Sequence, residues 1–400
     1  MTQDEPDVDP INAETALHTI QRRQRAQLQK VEAIQMQLAD AHRELAHIEQ
    51  ELANAVQQEQ TARPAASATE QRVVSAKRPA TVILNPAAKG LVDGTHTAEE
   101  IGTVLNAVGI TAVLRETTAE IDAYQLACDA VADGATLVVA AGGDGTIEEV
   151  ATALIDTEVV LGILPLGTMN NVARVLGIPL ALQSAVAVLA MGAIRHIDVG
   201  HVVTADHAVE GYFLETAGIG LSAVAAPMGE AYEKGRWADL FSRLGELLAG
   251  SASQVTVRCD DEIVFEAQTH TLTVSNAPLF GNNLLIAPDA KMDDGMLDLA
   301  IYADMELVDL TAYFYAIANG RRSHEPRLIT RRAQHIQVTA GTPLPVNADL
   351  DLLEKQQAWE IAVKARALAV IVGNGVGLTF PVSAAPARPP LAGLQPLPAP

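Results

Sequence analysis

Residues 140–150 read Ala140-Ala141-Gly142-Gly143-Asp144-Gly145-Thr146-Ile147-Glu148-Glu149-Val150. Three glycines there let the backbone turn sharply and come close to a ligand, with N–H groups free to point at phosphate oxygens. The run before them, residues 136–140 (Thr-Leu-Val-Val-Ala), is short, uninterrupted and rich in β-branched residues, as a strand buried on both faces should be. Ile147, Val150, Ala151 and Leu154 follow at helical spacing, so the loop opens a helix whose N-terminus adds partial positive charge. A carboxylate among phosphate-binding amides is repelled by the anion unless a cation lies between them. Asp144 therefore reads as a Mg²⁺–phosphate residue. Without chemistry, the same residues are a glycine-rich turn from strand to helix.

A second polar turn follows. Pro165-Leu166-Gly167-Thr168-Met169-Asn170-Asn171-Val172-Ala173-Arg174 leaves an apolar run and enters another helix. Gly167 permits the tight turn, and Thr168 and Asn170 offer hydroxyl and amide groups. Thr168 also suits an N-cap. No Walker Gly-x-x-x-x-Gly-Lys-[Ser/Thr] loop and no Gly-x-Gly-x-x-Gly fingerprint occurs, which disfavours those nucleotide folds.

The elements that must position these loops follow from periodicity. Strands are expected at 80–84, 111–115, 136–140 and 159–164, with helices near 97–108 and 120–132 and after the glycine loop. Strands alternating with helices imply an α/β fold on a parallel sheet, in which ligands bind beyond the carboxyl ends of the strands. The loops 85–90, 142–146 and 165–170 share that edge. After about residue 195 strands follow one another with few helices: 194–203, 212–217, 254–258, 269–275, 297–302, 335–339, 359–363 and 368–372. This reads as a mainly antiparallel β domain, with helices near 230–249 and 305–319. The expected organisation is an α/β nucleotide-binding domain at 80–193, a β-rich substrate domain at 194–365 and a C-terminal strand at 366–382 that returns toward the domain interface.

The flanks differ. Residues 17–55 carry heptads with Leu17, Gln24, Val31, Leu38, Leu45 and Leu52 at one seam position and Ile20, Gln27, Ile34, Ala41, Ile48 and Ala55 at the other. Residues 17–55 are free of Gly and Pro, and the N-terminal segment (1–62) that holds them reads as a coiled-coil helix and predicts a homo-oligomer. A polar Ala/Ser/Pro linker covers 63–79, and the Pro-rich end, 383–400, reads as disordered.

Composition sets bounds. Four hundred residues, 49% of them apolar, can bury a sizeable core, and a net charge of −22 argues against nucleic-acid binding. Two cysteines, Cys128 and Cys259, form no framework and suit a reducing cytoplasm. The acidic N-terminus lacks a signal-peptide pattern, and no apolar run approaches a membrane span, which needs about 18 residues. The expectation is a cytoplasmic protein that meets lipid only peripherally, at the inner membrane face.

Asn85-Pro86, the glycine loop through Val150, and Leu166-Gly-Thr-Met-Asn-Asn-Val-Ala-Arg174 together resemble the diacylglycerol kinase catalytic domain, the family of soluble bacterial diacylglycerol kinases and sphingosine kinases. Ile197-Asp198-Val199-Gly200 resembles the strand opening that family's second domain. Phe280-Gly281 and the Pro288-to-Asp298 segment resemble its glycine turn and its Asp-Asp-Gly loop. The resemblance covers roughly residues 80–375. It implies an ATP- and Mg²⁺-dependent kinase acting on a hydroxyl of a diacylglycerol- or sphingoid-like lipid. ATP phosphates should lie on Gly142, Gly143, Asp144, Gly145, Thr146, Ile147, Glu148 and Glu149, with Asn85, Thr117, Thr168 and Asn170 beside them. Asp144 and Asp198 should organise Mg²⁺ and the acceptor hydroxyl. A structural Mg²⁺ should use the Asp294 carboxylate and the carbonyls of Lys291 and Met296. The loop is no calcium-binding helix–loop–helix, because Ala290 and Met292 lack carboxylates.

The chain departs from the family pattern twice. Ala88-Lys89 stands where a Ser-Gly is usual, so one hydroxyl contact to phosphate is lost and Lys89 offers charge instead. Val346-Asn347-Ala348-Asp349-Leu350-Asp351 stands where the family has Asp-Gly-Glu. Asp351 then takes the place of the glutamate base, with Asp349 as the fallback, and Leu350 replaces the glycine. An NAD kinase-like enzyme and a catalytically degenerate scaffold are the alternatives. Two further stretches are suited to lipid. The 232–248 segment sets Trp237, Leu240, Phe241, Leu244 and Leu248 on one helical face, which fits a bilayer interface or a protein core. The Arg321–Arg332 region concentrates arginine, either to attract phosphate groups or to pair with nearby acids.

Overall fold

The computed structural model describes residues 79–223, 252–280, 284–318, 325 and 327–373. The heptad segment, the linker before Pro79, the amphipathic stretch at 232–248 and the C-terminal tail lie outside the described residues. No helix among the described residues is long and apolar enough to cross a membrane.

The first half alternates strands and helices: β1 (Ala80–Leu84), α1 (Lys89–Val92), α2 (Ala98–Ala107), β2 (Ala112–Glu116), α3 (Ala123–Ala132), β3 (Leu137–Gly142), α4 (Asp144–Leu154), β4 (Val160–Pro165), α5 (Asn171–Val175) and α6 (Leu182–Met191). The strands are parallel in the order β4-β3-β1-β2. Every residue of β3 and β4 is buried, which is why both read as unbroken apolar runs. The Thr97 hydroxyl and Asp122 carboxylate cap α2 and α3 by accepting backbone N–H groups. The inward stripe of α4 is Ile147, Val150, Ala151 and Leu154. α6 was not foreseen, because a segment this uniformly apolar shows no helical period.

The second half is antiparallel: β5 (Ala193–Val203), β6 (Glu210–Phe213), β7 (Thr216–Gly220), β8 (Ser253–Cys259), β9 (Glu262–Ser275), β10 (Leu279–Phe280), β11 (Leu284–Leu285), β12 (Leu297–Ala303), α7 (Leu307–Ala318), β13 (Leu328–Ala333), β14 (His335–Ala348) and β15 (Asp351–Val372). Its core gathers Phe213, Ile219, Val257, Leu272, Ile301, Val338, Trp359 and Ile361. The fold is thus mixed α/β, with a parallel first half and an antiparallel β second half.

One strand joins the halves. β15 pairs antiparallel with β14 and β5, and its last turn of pairing places Val370 parallel to Leu161 of β4. The strands expected at 359–363 and 368–372 are therefore one, and residues 366–372 are its end rather than a separate element. They read as two because the register against β5 shifts between Lys364 and Leu368, where Arg366 has φ +56°. Conversely, the single strand expected at 212–217 divides into β6 and β7. Leu214 and Glu215 leave the ladder there to meet Asp349.

Candidate active site

The three loops at the carboxyl edge of the parallel strands are tied to one another by backbone. Leu166 N–H donates to the Gly142 carbonyl at 2.8 Å, and Gly90 N–H donates to the Leu166 carbonyl at 2.9 Å. A methyl on Gly167 would lie 2.4 Å from the Gly143 Cα, so the two glycine turns touch main chain to main chain. A methyl on Gly142 would lie 2.5 Å from the Thr146 hydroxyl oxygen, which in turn accepts from Asn85 Nδ2 at 3.0 Å. The glycines are needed where they stand, because any side chain would part the loops.

Several of the residues expected at the nucleotide are engaged within the loops or the core. Ile147 is fully buried in the core beneath α4. Glu149 accepts the Ala123 N–H at 2.9 Å and so caps α3. Asn170, in left-handed conformation at φ +52°, accepts from Gly167 N–H at 3.0 Å and donates to its carbonyl at 2.9 Å. These two side chains make hydrogen bonds that shape the loops. Thr168 and Lys89 remain exposed at the edge, and Asn85 and Thr117 are half-buried there.

Facing the glycine loop is a corner between β14 and β15. Asp349 sits in it at φ +48° and is 3% exposed. Its carboxylate accepts N–H groups from Leu214 at 2.5 Å, Glu215 at 2.8 Å and Thr216 at 2.9 Å. Asn347, fully buried, donates to the Asp349 carbonyl and accepts the Gly218 N–H at 2.9 Å. Leu350 reaches the loop itself: its Cδ1 is 3.8 Å from where a Gly145 Cβ would stand. Asp351, at the start of β15, is exposed.

Carboxylates thus converge from three segments, and their charges act on one another. Burial raises the Asp144 carboxyl above its ordinary value, against the Val172 N–H at 3.4 Å that favours the charged form. Burial raises Glu148 well above the carboxylate range, and the charges of Asp349, Glu215, Asp144 and Asp351 add to the rise. Glu215, buried and bonded to Asn171 Nδ2 at 3.0 Å, is likewise pushed well up, by burial and by Asp144 and Asp349. Asp349 is raised to about 7 by burial, opposed by its three backbone donors. Glu215 was missed in the sequence, although a single carboxylate inside the apolar run 212–221 was a signal. Beside the cluster lies a small recess of about 10 Å³ whose lining includes Glu148, Asp349, Ile155, Val199, Tyr212 and Leu214.

Asp198 is elsewhere. Val199 lines the recess, and its neighbour on β5 points to the opposite face. Asp198 is fully buried. Its carboxylate accepts the Gly295 N–H at 2.6 Å and the Arg366 N–H at 2.8 Å. It fastens the Asp-Asp-Gly loop to the β15 bulge.

The metal expectations also divide. Among the described residues no three acid, histidine or cysteine side chains stand close enough to form a ready metal cage. At the glycine loop this suits Mg²⁺, a hard cation held by one or two carboxylates together with substrate phosphates rather than by an all-protein cage. The Asp144 carboxylate, held by a long 3.4 Å contact from Val172 N–H, fits such an ion. The Asp294 loop does not fit it. One Asp294 oxygen accepts the Met296 N–H at 3.2 Å, and the other pairs with the Arg332 guanidinium. Arg332 and Arg327, expected either to attract phosphate or to pair with acids, are both paired: Arg327 binds Asp309 at 2.7 Å and Glu325 at 2.8 Å.

Comparison with known proteins agrees with this architecture. The family model described as "Diacylglycerol kinase catalytic domain" matches residues 79–202, and that described as "YegS C-terminal NAD kinase beta sandwich-like domain" matches residues 218–372. A Pseudomonas aeruginosa (strain UCBPP-PA14) protein named "Probable lipid kinase YegS-like" is 34% identical over 248 residues, which span 60% of this chain and 78% of that protein. The "Diacylglycerol kinase" of Bacillus subtilis (strain 168) is 28% identical over 276 residues, 68% of this chain and 88% of the relative. A crystal structure of a diacylglycerol kinase from Bacillus anthracis str. Sterne shares the fold, with a TM-score of 0.56 at 20% identity, covering 74% of this chain and 97% of that one. With its two glycine turns, its facing β corner and these relatives, the chain belongs to the diacylglycerol kinase catalytic-domain family.

Proposed function

We propose that this protein is a lipid kinase that transfers the γ-phosphoryl group of ATP to a hydroxyl of a diacylglycerol- or sphingoid-like lipid at a membrane surface. The observation that carries the reading is the meeting of the glycine loop, at Gly145, with the acid-bearing 347–351 corner, at Leu350. One side cradles phosphate and the other brings carboxylates to the acceptor.

ATP phosphates would rest on the N–H groups of Gly143 and Gly145 and on the α4 N-terminus, with Asn85, Thr117 and the exposed Thr168 at the edge. Asp144 would hold Mg²⁺, with Glu215 behind it. When bound, the ion neutralises charge on the transferring phosphoryl group. Asp349 is bound by three backbone N–H groups, so it positions the 214–216 turn rather than accepting the substrate's proton. Asp351, exposed at the same corner, is the base: it takes the hydroxyl proton as the lipid oxygen bonds to the γ-phosphorus and ADP leaves. The heptads at 17–55 support self-association of the chain.

The test is to incubate the protein with ATP labelled at the γ-phosphate and a panel of diacylglycerol, sphingosine, ceramide, phosphatidylglycerol and NAD. Label in a lipid is the expected result. Label in NAD, or in no acceptor, would refute the proposal.

A further inference from the structure

We propose that the Arg332 guanidinium is the resident cation of the Asp-Asp-Gly loop, standing where a bound metal would otherwise hold that loop. Between residues 289 and 298 the loop carries Asp289, Asp293, Asp294 and Asp298, and it must fold tightly enough to present the Gly295 N–H to Asp198. Gathering these carboxylates requires a counter-charge. Arg332 supplies it from β13 to Asp294 and Asp298, while Arg195 of β5 lies 3.6 Å from Asp293. In the β12–β13 ladder Arg332 stands directly opposite Asp298. Its Nη2 pairs with Asp294 Oδ2, and its Nε lies 3.5 Å from Asp298 Oδ2. The other Asp294 oxygen already accepts the Met296 N–H, so both carboxylate oxygens are engaged within the protein. Gln334, two residues on, donates to the Gly295 carbonyl at 3.3 Å and holds the loop's other side. Arginine suits the task, because its planar fork reaches two carboxylates from one fixed position, bonding to Asp294 and standing at ion-pair distance from Asp298.

The loop so held is joined to the reaction site. Gly295 is bonded to Asp198, and Asn276 Nδ2 donates to the Asp198 and Leu214 carbonyls, each at 3.0 Å. Leu214 and Glu215 then donate to Asp349. Arg332 is thus a positioning residue, acting through the loop and Asp198 on the turn that carries Glu215.

Metal content decides the matter without substrate, so its outcome is separate from that of the kinase assay. The full chain and its Asp294→Asn, Arg332→Gln, Arg332→Lys and Arg332→Gln/Asp294→Asn variants are stripped of metal and dialysed against millimolar Mg²⁺. Bound Mg²⁺ is then measured by atomic emission. The parent, Asp294→Asn and Arg332→Lys should hold equal amounts. Arg332→Gln should hold one more ion per chain, lost again in the double variant. A parent that holds more Mg²⁺ than Asp294→Asn would overturn the proposal, because a metal would already sit on the loop. No gain in Arg332→Gln, or an equal gain in Arg332→Lys, would overturn it too. Should Arg332→Gln fail to fold, the parent against Asp294→Asn still decides.

Discussion

Asp351 and Asp349 are two residues apart and have opposite fates. One is exposed at the cleft; the other is buried and fully hydrogen-bonded. If Asp351 accepts the proton, Asp351→Asn should lower kcat about 10²- to 10⁴-fold, the usual share of a general base, with little change in KM for ATP. Steady-state rates at saturating lipid check this. The buried acids make a second prediction, for stability. Near pH 4 Asp349 starts to ionise in the unfolded chain, while in the folded chain it keeps its proton up to about 7. Between these values the folded state holds more protons, so stability falls as pH rises, and the loss is complete above the folded value. Glu215 is raised in the same direction. Melting temperature of the ligand-free protein should therefore drop from pH 5 toward pH 8. Glu215→Gln, which keeps an oxygen for Asn171, should flatten that slope. A slope unchanged by Glu215→Gln would show that this carboxylate is not ionised at a cost.

Among the elements, the parallel strands and the glycine turns were legible in the sequence, because full burial and sharp turning each leave a local residue signature. The β14–β15 corner was not. Asp349 meets Leu214 across 135 positions, and that meeting is set by β14 pairing with β7, where Asn347 stands opposite Gly218. No local pattern encodes such a register, so Asp198 and Asp351 looked alike as motif acids although they lie in different places. The contact between the two glycine turns yields a test at this scale. Gly167→Ala would force its methyl against the Gly143 backbone, so it should cost about 1–3 kcal/mol of stability and weaken ATP binding. Calorimetry on the variant measures both. Asp198→Asn separates a fastener from a catalyst. It removes one of two backbone acceptors, so it should lower stability by about 1–3 kcal/mol and leave ATP affinity near the parent's. Lost ATP binding with an unchanged melting temperature would contradict that role.

For the whole molecule, β15 sets the arrangement. It is part of the antiparallel half for most of its length and then joins β4 of the parallel half, so the acid corner at its start and the glycine loop beside β4 belong to one sheet. This explains why two halves with different sequence signatures share one cleft. The N-terminal heptads bear on assembly, and removing residues 1–62 should lower the mass seen by light scattering; an unchanged mass would contradict self-association through them. The central claim, that this cleft moves phosphate from ATP to a lipid hydroxyl under the charge held by Asp144, is met most directly by one measurement. Transfer of γ-phosphate label from ATP to diacylglycerol or sphingosine is followed for the parent and for Asp144→Asn, both shown to be folded by melting. The account predicts labelled lipid with the parent and at least about a 10²-fold slower transfer with the variant. Equal rates from the two proteins would contradict it.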